Sequence, residues 1–116
     1  MHITVYAASS GQVPEIYTQA AAELGTLLAR RGHVLVNGAG RTGLMGATID
    51  AALSEGGRAV GIIPQFMIDQ GWQHQQMSQL IVTPDMHQRK EQMAEMADAC
   101  IACPGGVGTL EELLEV

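Results

Sequence analysis

Aromatic residues are scarce in this chain: Trp72, Tyr6, Tyr17 and Phe66 are the only four in 116 residues. A core must therefore be assembled from Ala, Gly, Met and β-branched side chains, which suits close packing of helices on a sheet and favours an α/β fold. Positive charge is also low. Six basic residues stand against twelve acidic ones, for a net charge of −6, so the broad electrostatic footprint of a nucleic-acid polymer binder is missing. A small anion remains open, because a local cluster of donors binds one against the global charge. No stretch approaches the roughly eighteen apolar residues of a membrane span. Met1 leads straight into "HITVYA" without a signal-like segment, so a cytoplasmic protein with no membrane partner is expected. Cysteine is limited to Cys100 and Cys103, a C-x-x-C inside "DACIACPGG". Redox pairs of this spacing open a helix, whereas this one lies in a strand running into a turn; no second C-x-x-C or H-x-x-x-H supplies zinc ligands. Both cysteines are expected to be structural, and no metal or redox cofactor is expected.

With 47% hydrophobic residues the chain has enough apolar material for one domain, expected over residues 1–116. "ITVYA" (3–7), "HVLVN" (33–37), "RAVGIIP" (58–64), "LIVT" (80–83) and "CIAC" (100–103) read as strands. Between them, "IYTQAAAELGTLLARRG", "LMGATIDAALSEGG" and "DMHQRKEQMAEMADA" carry helical periodicity, the first ending at Gly32 and the last capped by Asp85. The glutamine-rich "QFMIDQGWQHQQMSQ" reads as a mobile flap with a short helix. Strands alternating with helices predict a Rossmann-like parallel β-sheet with helices on both faces, a three-layer α/β/α architecture, with ligands beyond the carboxyl ends of the strands. The helix begun by "TLEELLEV" stops at Val116 after about two turns, where such a fold continues, so the C-terminal part is expected to be missing.

Two glycine turns fall at strand ends. "GAGRTG" fits G-x-G-x-x-G at Gly38, Gly40 and Gly43, yet the acidic residue of a dinucleotide site is replaced by "VGIIPQF". The alternative is a tight strand-to-helix turn, with Gly46 admitting the helix close to the sheet. "PGGVGT" lets backbone N–H groups converge on an anion at a helix start, and phosphate fits; the G-K-[ST] ending of a P-loop is absent. Thr109 and Glu112 also satisfy T-x-x-E, a capping box that needs no enzyme. Arg89 and Lys90 open a helix against its dipole, which invites an anion, while Met86 and Met93 share an apolar stripe with Ala97.

Together these pieces resemble the LOG ("Lonely guy") family of cytokinin-activating phosphoribohydrolases, long described as lysine decarboxylases. The motif P-G-G-x-G-T-x-x-E is present in full at Pro104, Gly105, Gly106, Gly108, Thr109 and Glu112, and "YAASSG", "GAGRTGLMG", "IIPQF" and "DMHQRK" follow the family's order. The resemblance implies an enzyme that hydrolyses the N-glycosidic bond of AMP-type, N6-substituted nucleoside 5′-monophosphates, releasing base and ribose 5-phosphate without a cofactor. It assigns Arg89 and Glu112 to catalysis. Substrate binding falls to Gly105, Gly106, Gly108, Thr109, Lys90, Ser10, Gly40 and Met86, with Ser9 a lesser candidate. It also implies a homodimer. Ala39 replaces a middle glycine, Gln65 a lysine, and Arg41 adds a charge. Pyridoxal chemistry is disfavoured because Lys90 is the single lysine. The rival reading is a nucleotide-binding or carrier module of the same fold that performs no turnover.

Overall fold

The computed structural model describes residues 1–7 and 14–103. Five strands, β1 (His2–Tyr6), β2 (Val34–Asn37), β3 (Arg58–Pro64), β4 (Gln79–Thr83) and β5 (Ala99–Ala102), form one sheet of order β4-β3-β2-β1-β5, with every pair parallel. The helices are α1 (Glu15–Arg30), α2 (Gly43–Ser54), the five-residue α3 (Gln65–Asp69) and α4 (Met86–Glu95). The expected Rossmann-like architecture is present.

Alternation along the strands decides which helix covers which face. Ile3, Val5, Leu35 and Ala59 point to one side and pack with Ala21, Leu28, Leu44, Ile49 and Ala52 of α1 and α2. Tyr6, Val36, Val60 and Ile62 point to the other and meet Met93 of α4. The helices divide this way because a right-handed crossover stays on one face while the chain adds strands in one direction. After β4 the chain returns past the whole sheet to lay β5 beside β1, so α4 falls on the opposite face. The reversal makes the carboxyl ends of β1 and β5 the topological switch point, where open α/β sheets bind ligands. Thr4 is fully buried on the α4 face, and its hydroxyl donates to the Met93 carbonyl at 2.8 Å, fixing α4 to β1.

Helix α4 starts where Asp85 predicted: its carboxylate accepts from the Gln88 N–H at 2.8 Å as an N-cap. It ends earlier than the periodicity implied, because the Asp98 N–H donates to the His2 carbonyl at 2.8 Å and Ala99 is drawn into β5. Gly46 has a different role from the one expected. A Cβ there would strike the Arg41 carbonyl in the turn before α2, so the glycine admits the turn's own backbone onto the helix. A close approach between the two helices of that face is made by Gly25 of α1, whose missing side chain leaves room for the Thr48 carbonyl of α2.

The α1–α2 seam therefore tolerates no added methyl. Gly25→Ala is expected to force the helices apart and destabilise the fold by about 1–3 kcal/mol despite alanine's better helix propensity; the midpoint shift in urea unfolding measures it.

Candidate active site at the carboxyl edge of the sheet

Arg89 is the buried cation of this edge, only 7% exposed. From the first turn of α4 its Nε donates to the Ile62 carbonyl at 2.9 Å and its Nη2 to the Gly38 carbonyl at 2.6 Å. Its Nη1 lies 3.7 Å from the Met67 sulfur and 3.6 Å from that of Met86. The carbonyls come from β3 and from the turn after β2, so one side chain ties α4 to two neighbouring strands. Placed at a helix N-terminus, this charge opposes the dipole, and the carbonyl dipoles offset that cost. Gly38 is what admits it: a Cβ there would overlap the guanidinium.

The turn that supplies the Gly38 carbonyl is itself constrained. Ala39 adopts φ 62°, a left-handed conformation, and is fully buried. Its N–H donates to Asn37 Oδ1 at 2.9 Å, and its carbonyl accepts from the His74 N–H at 2.7 Å. Gly40 donates to the Met45 sulfur at 2.9 Å and forms an antiparallel bridge with Gln73. The glutamine-rich stretch is therefore no loose flap. It carries the short helix expected of it, and beyond α3 it is fastened to the turn, with Ser78 bonded to Ala59 through N–H at 2.9 Å and Oγ at 3.0 Å.

Of the expected site residues, Arg89, Met86 and Gly40 converge here, with Gly40 two positions beyond the carbonyl that holds Arg89. Lys90 follows Arg89 on α4 and is partly buried. Ser9, Ser10, Gly105, Gly106, Gly108, Thr109 and Glu112 lie outside the described residues, as does the capping box. Cys103, the last residue described before that motif, donates its N–H to the Tyr6 carbonyl at 2.8 Å at the β1–β5 switch point. Met67, Gln73 and His74 are not singled out individually by the sequence, and Gly38 is legible there only as part of the G-x-G-x-x-G turn. Their contacts span long separations, and no local spacing signals them.

The cysteines fit no redox pair: Cys100 lies within β5, and burial pushes the Cys103 thiol up, opposite to the shift that activates a thiolate. Among the described residues no three His, Cys, Asp or Glu side chains group as a metal site, and no helix is long and apolar enough to cross a membrane.

Residues 45–116 match a protein family described as "Possible lysine decarboxylase". The chain belongs to this family. Among its LOG-type relatives, the cytokinin riboside 5′-monophosphate phosphoribohydrolase of Rhodococcoides fascians is 50% identical over 86% of this chain and 51% of its own length. The corresponding LOG5 protein of Arabidopsis thaliana is 43% identical over 98% of this chain and 50% of its own. The chain thus spans about half the length of these curated relatives. Among solved structures, the molybdenum cofactor binding protein of Rippkaea orientalis superposes with a TM-score of 0.85 at 27% identity, covering 97% of this chain and 68% of that one.

Gly38→Ala is expected to expel the guanidinium from its two carbonyls, and the crystal structure of the variant checks this through the Nη2 to Gly38 carbonyl distance. Leaving those carbonyls and the charge without partners is expected to cost about 1–3 kcal/mol in unfolding free energy.

Proposed function

We propose that the protein hydrolyses the N-glycosidic bond of AMP-type nucleoside 5′-monophosphates, N6-substituted ones included, to free base and ribose 5-phosphate. The observation that carries this reading is the buried, doubly anchored guanidinium of Arg89 at the carboxyl edge of a parallel sheet. It stands in a chain 41–50% identical to phosphoribohydrolases of bacteria and plants.

The chemistry follows from what the reaction requires. Cleavage passes through a cationic, oxocarbenium-like ribose, which a carboxylate stabilises while orienting a ribose hydroxyl or the attacking water. Glu112 is assigned that role. Arg89 is held rigid by backbone acceptors, so it meets the phosphate or ribose without reorganising, and its charge favours the ionised form of Glu112. Gly105, Gly106, Gly108 and Thr109 are assigned to the phosphate, using N–H groups at a helix start. Lys90, Met86, Ser10 and Gly40 complete the contacts to the nucleotide. No step is routed through pyridoxal phosphate, since the one lysine of this sequence stands beside Arg89. The proposal includes one nucleotide-binding domain over residues 1–116, a cytoplasmic homodimer and no nucleic-acid polymer or membrane partner.

A second reading, a carrier that binds a nucleotide-bearing cofactor without turnover, draws support from the likeness to the molybdenum cofactor binding protein. The phosphoribohydrolases are closer in sequence, which favours hydrolysis.

Incubating the full-length protein with AMP and an N6-substituted AMP, and following free base by chromatography, separates the two. Base release is expected from the wild type and is expected to fall by roughly 100-fold or more in Arg89→Ala and Glu112→Gln, while both variants stay folded and bind nucleotide. Nucleotide binding by the wild type without base release would instead support the carrier.

A further inference from the structure

We propose that His74 and Asp50 are positioning residues, a latch that holds the segment after α3 onto the Gly38–Gly40 turn and through it fixes Arg89. The inference deepens the phosphoribohydrolase reading and rests on it for its kinetic arm only.

The ring of His74 is buried, and both of its nitrogens are engaged. The Gln76 N–H donates to Nδ1 at 3.0 Å, so Nδ1 carries no proton and Nε2 must carry it. Nε2 then donates to Asp50 Oδ1 at 2.6 Å. Asp50 is on α2, with a side chain 67% exposed against 7% for His74, so the carboxylate closes over the ring from outside. The backbone of His74 performs the second half of the task, its N–H donating to the Ala39 carbonyl at 2.7 Å, next to the Gly40–Gln73 bridge.

The turn needs such a clasp. Ala39 sits in a left-handed conformation that alanine disfavours, and it persists only where its surroundings over-determine it. Asn37 Oδ1 holds the N–H of Ala39 and His74 holds its carbonyl. Gly38, whose carbonyl accepts from Arg89, is the adjacent residue. A released His74 would let the turn relax, and the Gly38 carbonyl would move with it. The path runs from Asp50 to His74, to Ala39, to Gly38, to Arg89, with each step a contact or a peptide bond.

Asp50→Ala tests the latch without threatening the fold, because the residue is exposed and alanine is the better helix former. In the full-length protein, hydrogen exchange at the His74 and Gln76 amides and at the Arg89 Nε–H is followed by NMR, alongside kcat and KM for base release from AMP. The latch predicts faster exchange at all three sites in a protein that stays folded, its melting temperature lowered by no more than a few degrees for the one hydrogen bond lost. It also predicts a kcat lowered by about tenfold to hundredfold with KM little altered, since misplacement of a positioned group costs rate. Asp50→Asn, which still accepts from Nε2, is expected to restore wild-type values. Unchanged exchange at any of the three sites overturns the latch, as does faster exchange with unchanged kcat. A wild type that releases no base sinks the phosphoribohydrolase reading alone, and the Arg89 Nε–H exchange then decides the latch.

Discussion

The carboxyl edge of this sheet is organised by one buried cation held on backbone carbonyls. An unpartnered guanidinium in the interior is costly, and here two acceptors, from Ile62 and Gly38, meet it at 2.9 and 2.6 Å. β3 runs on to Pro64 past its last pairing with β2, Asn37 with Gly61, so the Ile62 carbonyl lies beyond that ladder and accepts from a donor arriving at a helix start. The arrangement therefore satisfies both parties. It also transmits constraints outward, since Gly38 must lack a side chain, the turn must hold its carbonyl in one place, and α4 must enter at one register. The Asp85 cap and the Thr4–Met93 bond serve that last requirement.

The crossover rules explain why such a residue can reach the site. Because β5 returns beside β1, α4 lies on the face opposite α1 and α2. Arg89 at its N-terminus then reaches the β2–β3 edge from one side of the sheet. His74 and Asp50 approach the same turn from the α2 side. The Gly38–Gly40 turn is thus gripped from both layers, and neither grip uses a residue within twenty positions of it except through Asp50 on α2.

That geometry separates what was legible in the sequence from what was not. Period-two and helical patterns located all five strands and the three long helices, since each pattern is written in contiguous residues. Asp85 was legible as a cap because its partner Gln88 is three residues on. Arg89 stood out as a charge in the wrong place for a helix dipole, but its acceptors are main-chain atoms 27 and 51 positions away, and nothing in their side chains announces them. The glutamine-rich segment misled in the other direction. Its polarity reads as mobility, whereas its backbone bonds to Ala39 and Ala59 and the bridge to Gly40 tie it down.

Ala39 shows how a local departure is absorbed. The LOG pattern favours glycine there, and a φ of 62° explains why: the left-handed region is open to glycine and costs alanine on the order of 1 kcal/mol. Offsetting gains are visible on the same residue. Its methyl is fully buried and lies where a Cβ on Gly61 would collide with it, so it fills space that glycine would leave empty. Burying one methyl group contributes roughly 0.8 kcal/mol, close to the conformational cost. Alanine is therefore nearly neutral for stability at this position, provided the hydrogen bonds to Asn37 and His74 hold the turn. The substitution moves the requirement from a single permissive residue to its neighbours: glycine would adopt this backbone unaided, whereas alanine keeps it through the Asn37 side chain of β2 and the main-chain N–H of His74 in the segment after α3.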